Sequence, residues 1–146
     1  MVIWITGFPG TGKTTLGKLL KDRIPNSILL DGDEIRKKMS FLGYTKKDRL
    51  RNALRIILLA YELQRSKIVI CCTVSLFHLI HRINRLLFFN YIEIYLKNDL
   101  GELRKRKPEV YKYLEISDFE VPLNPDIVIE KNIFNIEEIL CGITQN

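Results

Sequence analysis

No run of apolar residues in this sequence approaches the length of a membrane-spanning helix. Hydrophobic residues make up 47% of the 146 but stand in short runs, whereas a bilayer span needs about 18 or more in succession. The apolar residues at the N-terminus do not follow a basic leader, as they would in a secretory signal. We therefore expect a globular, cytoplasmic protein with no membrane partner.

Cysteine is also scarce. The three cysteines, Cys71, Cys72 and Cys141, show no metal-ligand spacing, and the adjacent pair lies in an apolar, strand-like run, so we expect core packing. Repeats, low-complexity segments and linkers are missing. We expect one domain over residues 1–146, a length that buries about 70% of the unfolded surface around a single core.

Residues 2–20 combine an apolar run, a glycine-rich turn and leucines at helical spacing. The turn matches Gly7-x-x-x-x-Gly12-Lys13-Thr14, the P-loop pattern, in which backbone amides surround phosphates, the lysine reaches the β- and γ-phosphates and the hydroxyl binds Mg²⁺. A dinucleotide-binding motif does not fit, because Thr15 stands where its third glycine belongs. The predicted ATP-binding residues are Gly7, Gly10, Thr11, Gly12, Lys13, Thr14 and Thr15.

Basic residues outnumber acidic ones, and the net charge is +6. Residues 33–55 hold eight basic side chains against three acidic ones, whereas residues 115–146 hold one cation, Lys131. This excess of basic residues is typical of a protein that binds either nucleic acid or a small anionic substrate. Because the basic stretch lies just downstream of the P-loop, it indicates a site for a second anionic ligand.

Five apolar runs alternate with helix-like segments. The predicted strands span residues 2–6, 27–30, 68–73, 91–96 and 127–129, and the predicted helices span 13–23, 33–40, 47–66, 76–90, 100–107 and 136–141. Continuous apolar strands are typical of a parallel sheet that is covered on both faces. The pattern predicts an α/β fold of the P-loop NTPase and kinase type, with three layers and a five-stranded parallel sheet.

Ligands of such sheets lie beyond the carboxyl ends of the strands. Asp31 and Asp33 follow the second predicted strand, where carboxylates can hold Mg²⁺ through water or accept the proton of an attacking hydroxyl. We expect Thr14 and Asp31 at the metal. Asp33 could also cap the next helix, and Ser75, after the third strand, fits either the crevice or a helix N-cap.

Two basic clusters lie further along the chain. His78, His81 and Arg85 share one helix face, which we interpret as a solvated polar face, with contact to an anion as the alternative. The run Arg104-Lys105-Arg106-Lys107 follows the fourth strand, where a lid of a small kinase would bring cations onto the transferring phosphoryl group.

Five segments resemble adenylylsulfate kinases, which use MgATP to phosphorylate the 3′-hydroxyl of adenosine 5′-phosphosulfate. They are the P-loop at 7–15, Leu30-Asp31-Gly32-Asp33-Glu34-Ile35-Arg36, Leu42-Gly43-Tyr44-Thr45, Asp48-Arg49-x-x-Asn52-x-x-Arg55 and Val121-Pro122-Leu123-Asn124-Pro125. Their order and spacing match over about residues 1–130. The resemblance implies ATP and Mg²⁺, a nucleotide acceptor rather than nucleic acid, and the homodimer common among relatives.

The resemblance also implies residue roles. Asp33 matches the base that takes the acceptor's proton, Tyr44 matches an aromatic group near the acceptor, and Ser75 matches the serine of the family's I-S-P-Y segment. Arg36, Arg49 and Asn52 match the groups that grip the anionic end of the acceptor. The expected catalytic residues are Lys13, Asp33 and Arg36, and the expected acceptor-binding residues are Asp33, Arg36, Tyr44, Arg49, Asn52 and Ser75.

Departures from the family pattern concern the acceptor side. His78 and His81 stand in place of arginines, Leu54 replaces one arginine, and the lid segment is short. The phenylalanine that stacks on the acceptor adenine has only Phe119 as a candidate. A related acceptor such as cytidine 5′-diphosphoramidate is therefore the alternative. Two other classes remain open: a nucleic-acid kinase or binder, and a regulator that binds nucleotide without turnover.

Overall fold

A computed structural model describes residues 1–38, 43, 45–131 and 133–145. The strands are β1 (Val2–Gly7), β2 (Ser27–Asp31), β3 (Ile68–Thr73), β4 (Tyr91–Lys97) and β5 (Ile127–Glu130). The helices are α1 (Lys13–Arg23), α2 (Gly32–Lys38), α3 (Lys46–Leu63), α4 (His78–Leu87), α5 (Leu100–Arg106), α6 (Pro108–Tyr111) and α7 (Ile136–Gln145), and a 3₁₀ turn covers Ile116–Asp118. All strand pairs are parallel, in the order β2-β3-β1-β4-β5. The predicted sheet is confirmed.

Alternating side chains of β1 supply both cores of the three-layer structure. Trp4 points to one face and packs with Ile56 of α3 and Ile80 of α4. Ile3 and Ile5 point to the other face, in a cluster that includes residues of α1 and α7 such as Leu16 and Ile139. Cys71 and Cys72 are buried as expected, whereas Cys141 is exposed. No helix in the described part of the chain has both the length and the hydropathy to cross a membrane.

Several helix boundaries differ from the prediction. α4 starts two residues later than predicted and ends before Phe88, because Phe77 and Phe88 are extended and are buried in the core with Trp4. α3 begins at Lys46 because a capping box forms, in which Thr45 and Asp48 each accept a bond from the other's backbone amide. α6 was not predicted, and α7 continues to Gln145. The predicted end of α2, Met39 and Ser40, lies outside the described residues.

A glycine allows α1 to lie close to the sheet. A Cβ atom on Gly17 would overlap Cys72 Sγ and lie 2.8 Å from Leu29 Cδ1. Helix propensity alone predicts that Gly17→Ala stabilises the fold by about 1 kcal/mol. We expect the overlap to dominate and to lower the free energy of unfolding by about 1–3 kcal/mol, as overpacking of a core does. Urea denaturation checks this, and Gly17→Ala/Cys72→Ala should recover part of the loss; a single variant more stable than the parent would contradict it.

Candidate active site

A cleft of about 590 Å³ opens at the carboxyl ends of β1, β2 and β3. Its lining includes the P-loop, the start of α2 with Arg49 of α3, and the segment with Lys107, Val110 and Leu114. The cleft therefore lies where a parallel sheet places its ligands. Five cations line it, Lys13, Arg36, Lys37, Arg49 and Lys107, against the two carboxylates Asp31 and Asp33.

The P-loop backbone has the curvature that a phosphate cradle needs. Gly10 and Gly12 both have φ of 87°, a left-handed conformation that glycine adopts without strain. A Cβ on Gly7 would lie 2.8 Å from the Leu96 carbonyl oxygen, so a side chain would push the loop away from β4. α1 begins at Lys13, and its first backbone N–H groups and positive dipole end therefore face the loop.

The side chain of Lys13 reaches back across the P-loop. Its ammonium donates to the carbonyl oxygens of Gly7 and Phe8, at 2.9 and 2.8 Å. Burial lowers its pKa to about 8, with a smaller contribution from the positive charge of Lys107. The carbonyl oxygen of Lys13 accepts from Cys72 Sγ at 3.2 Å, and burial raises the pKa of Cys72 to about 12, so this thiol keeps its proton. An anion in the cleft would restore the charged form of Lys13.

The lowered pKa of Lys13 predicts that ATP affinity depends on pH. The charged amine binds phosphate, and its population falls as the pH rises through about 8. If only that form binds, the apparent Kd of MgATP rises about tenfold from pH 7 to pH 9, and binding takes up a proton. Titration calorimetry in buffers of different ionisation enthalpy measures both. Lys13→Arg stays charged and should show a flat profile; a flat profile in the parent protein would contradict the prediction.

Thr14 and Asp31 lie together, as expected for a metal site. The Thr14 hydroxyl donates to Asp31 Oδ2 at 2.5 Å. Hydroxyl and carboxylate oxygens suit Mg²⁺, which usually keeps several waters and binds one or two carboxylates together with substrate phosphates. Among the described residues no three His, Cys, Asp or Glu side chains form a cluster, so this pair is compatible with a metal that the nucleotide itself helps to hold.

Asp31, not Asp33, caps α2. Asp31 Oδ1 accepts from the backbone amides of Asp33 and Glu34, at 2.9 and 3.2 Å. The alternative that Asp33 caps this helix is therefore wrong: α2 begins at Gly32, one residue earlier than predicted, and the cap position falls to the last residue of β2. The Asp33 side chain is left 76% exposed at the cleft, 3.5 Å from Arg36.

The predicted acceptor residues separate into two groups. Asp33, Arg36 and Arg49 line the cleft. Asn52 is buried, and its amide donates to the Gly32 carbonyl at 3.1 Å, so it supports the start of α2 rather than reaching the cleft. Ser75 is also buried and accepts from the Trp4 indole at 2.8 Å; it neither caps α4 nor lines the cleft. Tyr44 lies outside the described residues.

Phe119 connects the P-loop to Arg49. Its ring centroid lies 5.2 Å from that of Phe8, and the Arg49 guanidinium lies 4.8 Å from the centroid of Phe119. Phe119 is almost wholly buried, in a cluster with Leu103 and Tyr111. The ring that sequence comparison offers for stacking on an acceptor base is thus already in contact with two side chains of the protein.

The face of α4 that was expected to be solvated is partly buried. His81 is only 7% exposed, and its Nδ1 lies 2.6 Å from Oε1 of Glu93, a carboxylate in the middle of β4 that is 1% exposed. Arg85 approaches Glu93 Oε2 at 3.3 Å and Asp126 at 3.2 Å. The prediction is wrong for His81 because it overlooked Glu93, whose burial demands polar partners. These residues do not line the cleft, so contact with its ligand is not supported either.

The model of the family described as adenylylsulphate kinase matches residues 1–130. The chain belongs to this family. It is 38% identical to the cytidine diphosphoramidate kinase of Campylobacter jejuni over 110 residues, which cover 72% of this chain and 65% of the relative. It is 32% identical to a probable adenylyl-sulfate kinase of Aeropyrum pernix, over 94% of this chain and 86% of the relative. The predicted family and the predicted class of enzyme, a kinase, are confirmed.

Solved structures of the family share the fold. The adenylylsulfate kinase of Mycobacterium tuberculosis in complex with AMPPNP and APS superposes with a TM-score of 0.78 at 21% identity, over 99% of this chain and 97% of that one. At this identity the likeness concerns the fold alone. It supports the P-loop kinase architecture that the alternating strands and helices predict.

The sequence analysis did not single out two residues that line the cleft, Lys37 and Lys107, and it missed Tyr111, which contacts the P-loop. Lys37 follows Arg36 and was counted only as one charge in a basic stretch. Lys107 was treated as one of four lid cations. Tyr111 donates from its hydroxyl to the Pro9 carbonyl at 2.8 Å and fastens α6 to the P-loop. Pro108 was the available signal for the start of α6, because proline is favoured at the first helical position.

Proposed function

We propose that this kinase transfers the γ-phosphoryl group of MgATP to a ribose hydroxyl, the 3′-hydroxyl by family resemblance, of a small anionic nucleotide. One observation carries the proposal: the P-loop, the Thr14–Asp31 pair and the exposed carboxylate of Asp33 line the same cleft. Lys13 would bind the β- and γ-phosphates. Thr14 and Asp31 would hold Mg²⁺, which neutralises phosphate charge when it is bound.

The transfer needs a base and cations. The acceptor oxygen attacks the γ-phosphorus in line; the new O–P bond forms as the bond from phosphorus to the β,γ-bridging oxygen breaks, and that electron pair leaves with ADP. Asp33 would take the hydroxyl proton and pass it to solvent. Its exposed carboxylate lines the same cleft as the P-loop, and its negative charge raises the pKa of Lys13. Lys13 would stabilise the charge that spreads over the phosphoryl oxygens.

Arg36, Lys37 and Arg49 would bind the anionic end of the acceptor. All three line the cleft, and all three belong to α2 and α3. Adenosine 5′-phosphosulfate is the acceptor that the family model supports. A second acceptor, cytidine 5′-diphosphoramidate, is favoured by two observations: the relative from Campylobacter jejuni bears that name, and Phe119 already contacts Phe8 and Arg49 rather than an open base-stacking position.

Steady-state ADP release distinguishes the acceptors. The protein is given MgATP with adenosine 5′-phosphosulfate, with cytidine 5′-diphosphoramidate, or with water alone. We expect ADP release well above the water control with one of the two nucleotides. Release with neither, while MgATP still binds, would contradict the proposal and favour a nucleotide-binding regulator. Turnover on single-stranded oligonucleotides would instead favour a nucleic-acid kinase, with strong dependence on salt.

The domain organisation, the location and the partners of the chain are also proposals. We propose that residues 1–146 act as one kinase domain in the cytoplasm, with a small nucleotide and not nucleic acid as the partner. A homodimer stays a prediction from the family resemblance. Leu58 and Leu86 are 66% and 84% exposed on α3 and α4, and they are candidate residues for a subunit contact.

A further inference from the structure

The ring of Phe119 contacts both a residue of the P-loop and a cation of the cleft. Its centroid lies 5.2 Å from that of Phe8, and the Arg49 guanidinium carbon lies over the ring at 4.8 Å from its centroid. A guanidinium within about 6 Å of a ring centroid is attracted to the negative face of the ring. Arg49 lines the cleft, so this attraction helps to decide where its charge is held there.

The backbone that carries Phe119 is anchored to two helices. The next residue, Glu120, donates from its amide to the Leu76 carbonyl at 2.8 Å, and its carboxylate accepts from the His78 amide at 2.7 Å, at the start of α4. On the other side, Asp118 lies 3.8 Å from the ammonium of the first residue of α3. The ring is therefore held at a defined position relative to α3, the helix that carries Arg49.

Little of the Phe119 ring is open to a ligand. The residue is 9% exposed, packs with Leu103 and Tyr111, and does not line the cleft. An acceptor base would need an open face of the ring to stack on, whereas the guanidinium of Arg49 already lies over one face. Arg49 itself is half-buried and lines the cleft. The ring is thus placed to act on the acceptor through Arg49 rather than by direct contact.

From this geometry we propose that Phe119 is a positioning residue, whose ring holds the Arg49 guanidinium in the orientation that binds the anionic end of the acceptor. The inference rests on the proposed function, because the acceptor is the one named there. An unsupported arginine side chain loses rotamer freedom when it binds an anion, and a ring that already holds the guanidinium lowers this cost. A planar guanidinium can stack on an aromatic face and still direct its N–H groups, which lie in its plane, at a phosphate.

Acceptor binding tests this role without phosphoryl transfer. Adenosine 5′-phosphosulfate and cytidine 5′-diphosphoramidate are each titrated calorimetrically into the protein with saturating MgADP, which has no γ-phosphoryl group to transfer. Phe119→Leu and Phe119→Met lack the ring, and methionine fills much of its volume. For the nucleotide that the parent protein binds, we expect both variants to raise the Kd about three- to tenfold. Phe119→Tyr keeps the ring and should bind like the parent.

A matched control and a double-mutant cycle separate positioning from packing. Ile116→Ala removes apolar contacts from the same cluster but leaves the ring under Arg49, so the acceptor Kd should stay within about twofold of the parent. In an Arg49→Ala background, Phe119→Leu should add no further rise in the acceptor Kd, because the group that the ring positions is gone. The Kd of MgATP and the melting temperature report whether each variant keeps its fold.

The assignment of Phe119 can fail in distinct ways. An acceptor Kd within about twofold of the parent in both Phe119→Leu and Phe119→Met would overturn it. So would an equal rise in the Kd of MgATP, which indicates general damage to the site. A rise that persists in the Arg49→Ala background would show that Phe119 contacts the acceptor base itself, and would overturn the assignment as well. Failure of the parent protein to bind either acceptor nucleotide would instead overturn the proposed function.

Discussion

Asp33→Asn should lower kcat by at least about 10²-fold while MgATP still binds, because removal of a general base costs about 10²–10⁴ in rate. The substitution keeps the size of the side chain and removes the group that would take the proton of the acceptor. Asp33 is exposed at the cleft, and its ion pair to Arg36 is 3.5 Å long, so the fold does not depend on it. Steady-state kinetics, with calorimetry for MgATP, measure the two effects separately.

Glu34→Gln is the matched control for that substitution. Glu34 is the next residue in the first turn of α2, is exposed, and does not line the cleft. Its contact with Asp31 is made by the backbone amide, which the substitution leaves in place. We expect parental kcat in Glu34→Gln. Turnover of Asp33→Asn within a factor of about two of the parent would remove Asp33 from the mechanism.

Glu93→Ala should lower the free energy of unfolding by about 3 kcal/mol, because loss of one partner leaves other polar groups buried and unpaired. Glu93 is 1% exposed and contacts His81 at 2.6 Å and Arg85 at 3.3 Å. Its backbone amide donates to Asp126 Oδ2 at 2.7 Å, so the same network joins α4, β4 and the approach to β5. Urea denaturation measures the loss, and the melting temperature should fall by about 10 °C for a chain of this size.

Glu130→Ala controls for removal of a carboxylate from the sheet. Glu130 pairs with Lys97 at 3.0 Å, but both side chains are 60% exposed, and solvent screens such pairs. Its melting temperature should stay close to that of the parent. If Glu93→Ala melts as late as Glu130→Ala, the cluster around Glu93 does not stabilise the fold, and its buried carboxyl group would need another explanation.

The sheet was predictable because the residue pattern of each segment agrees with the element that the segment forms. Each strand is a short apolar run, and the P-loop between β1 and α1 has a spacing that few other structures share. Lys13 and Thr14 could therefore be placed at the cleft from the P-loop motif, and Asp31 and Asp33 from their position after the second strand. The family resemblance added Arg36 and Arg49, and both line the cleft.

Errors arose where long-range packing decides the outcome. Ser75 follows a strand, as a cleft residue should, but the indole of Trp4, 71 residues away in sequence, holds it in the core. The Ser75 hydroxyl accepts a hydrogen bond from the buried N–H of Trp4. The sequence pattern does not show this pairing. Asn52 is likewise committed to the Gly32 carbonyl. A glutamate within the apolar β4 run, together with His81 and Arg85 at i and i+4 on one helix face, was an available signal for the buried cluster.

The product of the reaction tests the central claim most directly. The protein is incubated with MgATP and each of the two acceptor nucleotides, and ³¹P NMR follows the mixture. The proposed function predicts that, with one acceptor, ATP signals are replaced by those of ADP and by one new phosphomonoester signal of equal intensity on the acceptor ribose. Conversion of ATP to ADP and inorganic phosphate alone, or no conversion despite bound MgATP, would contradict the assignment as a nucleotide kinase.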